Sequence, residues 1–272
     1  DTSFLRTGTY QTSSYGGGVN FGMPLNERDS IFAGLSFDYT DVTLSSDSPP
    51  NWKRYCNNNI SGGCNNYSWM LTTGWSHDTR DNIMFPNKGV FQRANLEVGL
   101  PGLDLQYYRM DYKHAWYEPI TKSFTLMLNG EIGYGNSYGG KDYPFFKNYF
   151  VGGVNSVRGY FQSSIGNRLS DNSGNFNFYE GGTKRIVGNA EVFFPVPGLK
   201  DSNQFRLSTF VDTGSVWGDK ESINLSELRY SAGFGVSWFS PFGPLKVFVA
   251  KAFKDQETDR TQVFGFQMGS QF

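Results

Sequence analysis

The sequence predicts an all-β protein, a transmembrane antiparallel β-barrel. Three observations carry that expectation. Apolar and polar residues alternate with period two through about eleven segments of roughly ten residues, the length a tilted membrane-crossing strand needs. The mean hydropathy is nevertheless negative, at −0.46, and no stretch approaches the ~20 apolar residues of a spanning helix. Short and long connections also segregate to opposite ends of the segments, as in barrels with short inner turns and long outer loops.

The segments follow in chain order. Tyr15, Val19, Phe21 and Met23 alternate with Gly16, Gly18, Asn20 and Gly22. Ile31, Ala33, Leu35, Phe37 and Tyr39 oppose Gly34, Ser36, Asp38 and Thr40. Tyr67, Trp69, Leu71 and Trp75 oppose Ser68, Thr72 and Ser76. Val90, Ala94, Leu96 and Val98 oppose Arg93, Asn95 and Glu97. Met110, Tyr112 and Trp116 oppose Arg109, Asp111 and Lys113, and Phe124, Leu126, Leu128, Ile132 and Tyr134 oppose Thr125, Asn129, Glu131 and Gly133. After a long interruption, Ile186, Ala190, Val192 and Phe194 oppose Asn189 and Glu191. Leu207, Thr209 and Val211 oppose Arg206, Ser208 and Asp212. Leu228 to Trp238 alternate against Arg229, Ser231, Gly233, Gly235 and Ser237, and Leu245, Val247, Val249 and Phe253 form a further face. The last segment places Phe264, Phe266, Met268 and Phe272 against Gly265, Gln267, Gly269 and Gln271. A soluble sandwich would turn the apolar face inward. Here the polar, glycine-rich face is assigned to a lumen and the apolar face to lipid.

Residues 24–27, 118–121, 197–200 and 240–243 carry turn signals at one end of the strands. The longer 43–65, 137–183 and 217–226 connections lie at the other. The short connection at 100–103 and the longer one at 79–88 depart from the trend. An odd strand number leaves an open edge, which is costly in lipid. The expectation is therefore that 1–272 is one partial barrel domain, closed by strands upstream of Asp1.

Composition excludes several functions. A net charge of −1 gives no electrostatic case for nucleic acid. The two histidines, His77 and His114, fall beside lipid-facing Trp75 and Trp116 near the short-turn end, as members of an interfacial girdle. Neither supplies a lumen base for hydrolysis, so no enzyme activity is expected. No phosphate-binding loop or metal cluster is legible, and no cofactor is expected. Cys56 and Cys64 lie in one outer loop. A local disulfide formed in an oxidising compartment is the favoured reading; two free thiols in a mobile loop is the alternative.

The most informative stretch is Tyr149 to Tyr160, which contains Gly152-Gly153 and Val157-Arg158-Gly159-Tyr160. Its arginine is a permanent charge with a planar fork of donors. Such a residue either reaches into solvent or is tucked against carboxylates. A barrel interior able to receive the loop favours the second.

These residues resemble the C-terminal barrel of the BamA-type outer-membrane protein assembly factors. Val157-Arg158-Gly159-Tyr160 is similar to the family's signature in its sixth outer loop. Asp78 to Gly89 resembles the superfamily's strand-linking turn. Phe239 to Leu245 and Phe264 to Phe272 resemble the last hairpin and closing strand. The resemblance implies a sixteen-stranded barrel preceded by periplasmic POTRA domains, of which this chain holds about the last eleven strands. It implies that Arg158 folds inward to meet Glu191 and Asp212, which parity also places on the lumen face. It implies an assembly signal in Phe264, Phe266, Met268 and Phe272.

The function so implied is an insertase that folds other barrels into the bacterial outer membrane. Its partners are the outer-membrane lipid bilayer, nascent β-barrel proteins, accessory assembly lipoproteins and periplasmic chaperones. A secretion or translocation pore of the same superfamily is the alternative, and a passive porin, which does not need the Arg158 motif, a more distant one.

Overall fold

The structure is a computed structural model, and it describes residues 10–46, 48–57, 64–170, 176–196, 205–240 and 243–269. The chain runs through β1 (Tyr10–Pro24), β2 (Asp29–Leu44), helix α1 (Pro50–Asn57), β3 (Asn65–Asp78), β4 (Gly89–Gly99), β5 (Tyr107–Pro119) and β6 (Thr125–Ser137). A short hairpin of β7 (Arg168–Ser170) and β8 (Phe176–Tyr179) follows. The rest is β9 (Lys184–Phe194), β10 (Phe205–Trp217), β11 (Arg229–Ser240), β12 (Gly243–Ala252) and β13 (Phe264–Met268). Eleven of these strands form one sheet in chain order, with β6 pairing β9 across the long insertion. β1 and β13 are the ends of that order. Among the described residues the sheet does not close on itself.

The alternation read from the sequence sets the two faces. Phe21, Met23, Ile132, Phe234 and Val249 lie exposed on the outer face, as do Phe264, Phe266 and Met268 of β13. Phe272 and the 197–200 turn lie outside the described residues. Among the described residues no helix is long and apolar enough to cross a membrane; the strands do that work, and their ladders satisfy the backbone polar groups.

The inner face holds a feature that alternation alone does not reveal. Five large rings point inward over a glycine on a neighbouring strand or segment. A Cβ on Gly74 would lie 2.4 Å from the Phe32 ring, one on Gly265 2.3 Å from Phe248, and one on Gly233 2.7 Å from Phe210. Tyr149 covers Gly133 and Tyr143 covers Gly135 in the same way. Gly133, Gly233 and Gly265, read as ordinary polar-face residues, are thus seats for lumen aromatics, as are Gly74 and Gly135; any side chain there would collide with the ring.

The 43–65 connection is not the plain loop its sequence suggested. α1 turns Trp52, Tyr55 and Cys56 into a cluster with Val42, Cys64, Phe145 and Phe178. Trp52 stacks on Phe145 at 4.9 Å between centroids. Cys56 and Cys64 are joined by a disulfide, so the two-thiol alternative is set aside. The bridge closes a nine-residue ring, counting both cysteines, and stabilises by about 2 kcal/mol on the chain-entropy view. Replacing both cysteines by serine is expected to leave the barrel folded and to expose α1. Proteolysis should then cut within 50–64 in the variant and not in the oxidised parent.

Candidate functional site

The long connection between β6 and β9 runs back into the lumen. It starts with a 3-10 turn at Phe145–Lys147 and fills the inside with Tyr149, Val151, Val157, Tyr160 and Ile165, all buried against Val187 and Val216. Two glycines make the descent possible. Gly152 has φ +114°, and a Cβ there would lie 2.5 Å from the carbonyl oxygen of Phe161. Gly159 has φ +90° and packs on Ser231 and Ala250, leaving 3.2 Å for a Cβ. Both conformations are open to glycine and strained for other residues.

Arg158 hangs between them and is paired twice. Its Nε donates to Asp212 Oδ2 at 2.7 Å and its Nη2 to Asp212 Oδ1 at 2.8 Å, a bidentate fork. Nη1 donates to Glu191 Oε2 at 2.9 Å. The Arg158 backbone N–H donates to Asp212 Oδ2 at 3.0 Å, and the guanidinium lies 3.4 Å from the Phe210 ring centroid. The Asp212 side chain is 0% exposed, Glu191 9% and Arg158 13%. Asn189 extends the network, donating to Asp212 Oδ1 at 2.9 Å and to the Ser156 carbonyl at 2.7 Å. Burial alone would weaken the guanidinium's hold on its proton, but the bonds to Asp212 and the charge of Glu191 outweigh it, and the pKa lies above the ordinary arginine value. The clamp is permanently charged and geometrically fixed.

A second anchor was not legible in the sequence. After Arg158 the loop pairs with the connection between β12 and β13. Tyr160 bridges Thr261, Gln262 N–H donates to the Gly159 carbonyl at 2.8 Å, and Phe161 N–H to the Arg260 carbonyl at 2.8 Å. That connection is itself pinned by Arg229 of β11. Its Nε and Nη2 donate to Asp259 at 2.9 and 3.2 Å, and its other donors reach Gln256, Ser215 and the Glu227 carbonyl. Arg229 was read only as a polar partner on its strand, and Asp259 falls outside every alternating segment. Only their meeting reveals them. Their side chains are 5% and 0% exposed.

At the opposite end the 79–88 segment folds under the lumen. Asp81 Oδ1 accepts from the N–H groups of Asn87 and Lys88 at 2.8 and 3.2 Å. Partial burial would raise its pKa, but these bonds win and hold it below the usual carboxylate value. Arg206 reaches across from β10 to the Pro86 carbonyl at 3.0 Å. A cavity of about 430 Å³ lies between this segment and the Arg158 tip. The length that made 79–88 an exception among inner turns is the length needed to cross the mouth.

A family model for the Omp85 superfamily domain matches residues 4–272. The chain belongs to the Omp85 superfamily. Among Omp85 relatives, the outer membrane protein assembly factor BamA of Neisseria meningitidis serogroup B is 35% identical over 97% of this chain and 37% of its own length. The SAM50-like protein SPAC17C9.06 of Schizosaccharomyces pombe is 29% identical over 63% of this chain and 37% of its own. The crystal structure of Haemophilus ducreyi BamA lacking POTRA domains 1–3 superposes with a TM-score of 0.85 at 25% identity, over 94% of this chain and 54% of that one. CdiB from Acinetobacter baumannii shares the fold with a TM-score of 0.57 at 13% identity, over 94% of this chain and 42% of its own. The chain thus spans about a third to a half of the length of these relatives. Its place as an Omp85 barrel is the bacterial outer membrane.

Proposed function

We propose that this chain is the barrel region of an assembly factor that folds and inserts other β-barrel proteins into the outer membrane. The observation that carries the reading is the Arg158 loop clamped on Glu191 and Asp212 inside the barrel, in a chain 35% identical to a BamA over 97% of its own length. The work is conformational and non-enzymatic. A sheet edge presents unpaired N–H and C=O groups to an incoming strand, and a poorly matched bilayer beside it lowers the cost of insertion. The clamped loop keeps the wall rigid while an edge exchanges partners. The partners are nascent barrel proteins and the lipid bilayer, with accessory lipoproteins and periplasmic chaperones delivering the clients.

Depletion of the protein in its own host tests this. Loss of many different barrels from the outer membrane is the expected result. Loss of one secreted client alone would indicate a secretion pore, and loss of small-solute uptake alone a porin; either would overturn the proposal.

A further inference from the structure

On the outer wall, beside the short turns, four polar side chains form one cross-strand row. Asp29 of β2 faces His77 of β3, His77 faces Gln92 of β4, and Gln92 faces His114 of β5. Both histidines of the chain are in it. The row is internally bonded. His77 Nδ1 meets Asp29 Oδ1 at 2.8 Å, the Trp75 indole N–H donates to the same oxygen at 3.1 Å, and Gln92 Nε2 donates to His114 Nδ1 at 2.9 Å. A carboxylate only accepts, so Nδ1 of His77 carries a proton and donates it to Asp29. His114 is the reverse: its Nδ1 accepts and its Nε2–H is left a donor.

Directly outward of this row, on the membrane side, is an apolar groove of about 800 Å³. Its floor is low because Ala33, Thr73 and Ala94 are short. Met23 on β1 and Tyr112 and Ile132 toward β6 rise around it. Ile31, Trp75, Ala94 and Tyr112 of the groove stand one residue pair from the row along their strands, about 7 Å, and Ala33 and Thr73 one pair further.

We propose that this is a lipid site, and that its occupant is a periplasmic-leaflet phospholipid with an aminoethyl phosphate headgroup. Charge complementarity selects it. The Asp29 carboxylate offers the negative charge and the acceptor for the ammonium, and it keeps acceptor capacity beyond its bonds to His77, Trp75 and Asn26. The His114 end offers a donor for the phosphate. Asp29 and His114 stand three strand spacings apart, about 14 Å between backbones, and the Asp29 carboxylate leans to His77, which shortens the gap to one that the extended headgroup spans with a hydrogen bond at either end. One acyl chain then lies on the Ala33–Thr73–Ala94 floor. A headgroup with neither an N–H nor an O–H donor satisfies only half of the row.

The test uses the protein at its full natural length, purified in mild detergent and mixed with phosphatidylethanolamine or phosphatidylcholine of identical chains. Native mass spectrometry counts retained lipid. The parent is expected to retain phosphatidylethanolamine about tenfold better, the factor of one good hydrogen bond. Asp29→Ala should erase that preference. Ala94→Phe, which fills the groove from the outer face, should lower retention of both lipids. Heat-modifiable migration confirms that each variant is folded. Equal retention of the two lipids by the parent overturns the headgroup assignment without needing any variant. An undiminished preference in folded Asp29→Ala, or undiminished retention in folded Ala94→Phe, overturns the site.

Discussion

Arg158→Ala is expected to release the lumen loop without unfolding the wall. The substitution leaves Asp212, which is fully buried, beside Glu191 with no shared cation. Breaking a buried pair by removing one partner costs about 3–5 kcal/mol. Here the loop can lift, and water can enter to hydrate the carboxylates, so part of that cost is traded for loss of the docked state. Asn189 still donates to Asp212, which limits the damage to the wall. The measurable result is proteolytic cleavage between 150 and 165 in the full-length protein in membranes, together with loss of complementation in a depleted host. Arg158→Lys should recover little of either. A lysine ammonium is a point charge and cannot span both carboxylates while also lying flat on Phe210, as the guanidinium does. Wild-type resistance and full complementation in Arg158→Ala would mean that the clamp has no role in holding the loop.

Arg229→Ala is expected to be as severe and to fail in a different place. It strands Asp259, whose side chain is as buried as that of Asp212, and removes the donors that hold Gln256 and the Glu227 carbonyl. The same magnitude of about 3–5 kcal/mol applies. The segment 253–263 should become the first site of cleavage, with the Arg158 clamp initially intact. The two anchors meet through Gly159 and Tyr160. Removing both should therefore cost less than the sum of the two, because the second loss acts on a loop already loosened. Urea unfolding of the two single variants and the double variant reads this directly. Simple additivity would show that the anchors act independently.

The sequence made the strands legible because one face meets lipid, and that demands an apolar residue at every second position. The Arg158 motif was legible because its glycines and its charge are out of place in an ordinary loop. What was illegible depended on residues far apart in the chain. Arg229 and Asp259 each look ordinary until folding joins them. α1 is eight residues long, and its apolar stripe of Trp52, Tyr55 and Cys56 is too short to mark a helix by itself; tertiary packing of Trp52 against Phe145 supplies what its local sequence lacks. The crossing of the mouth by 79–88 is settled by Arg206, more than a hundred residues away.

The ring-over-glycine seats of the inner wall bear on how such a chain can drift. Phe32 with Gly74, Phe210 with Gly233 and Phe248 with Gly265 are paired across strands and not along them. A substitution at either partner alone leaves a collision or a hole. Inheritance on the inner wall should therefore move by twos: lineages that give up the glycine should be those that have also shed the ring. The lipid-facing surface, where any apolar residue serves, is free to change one position at a time.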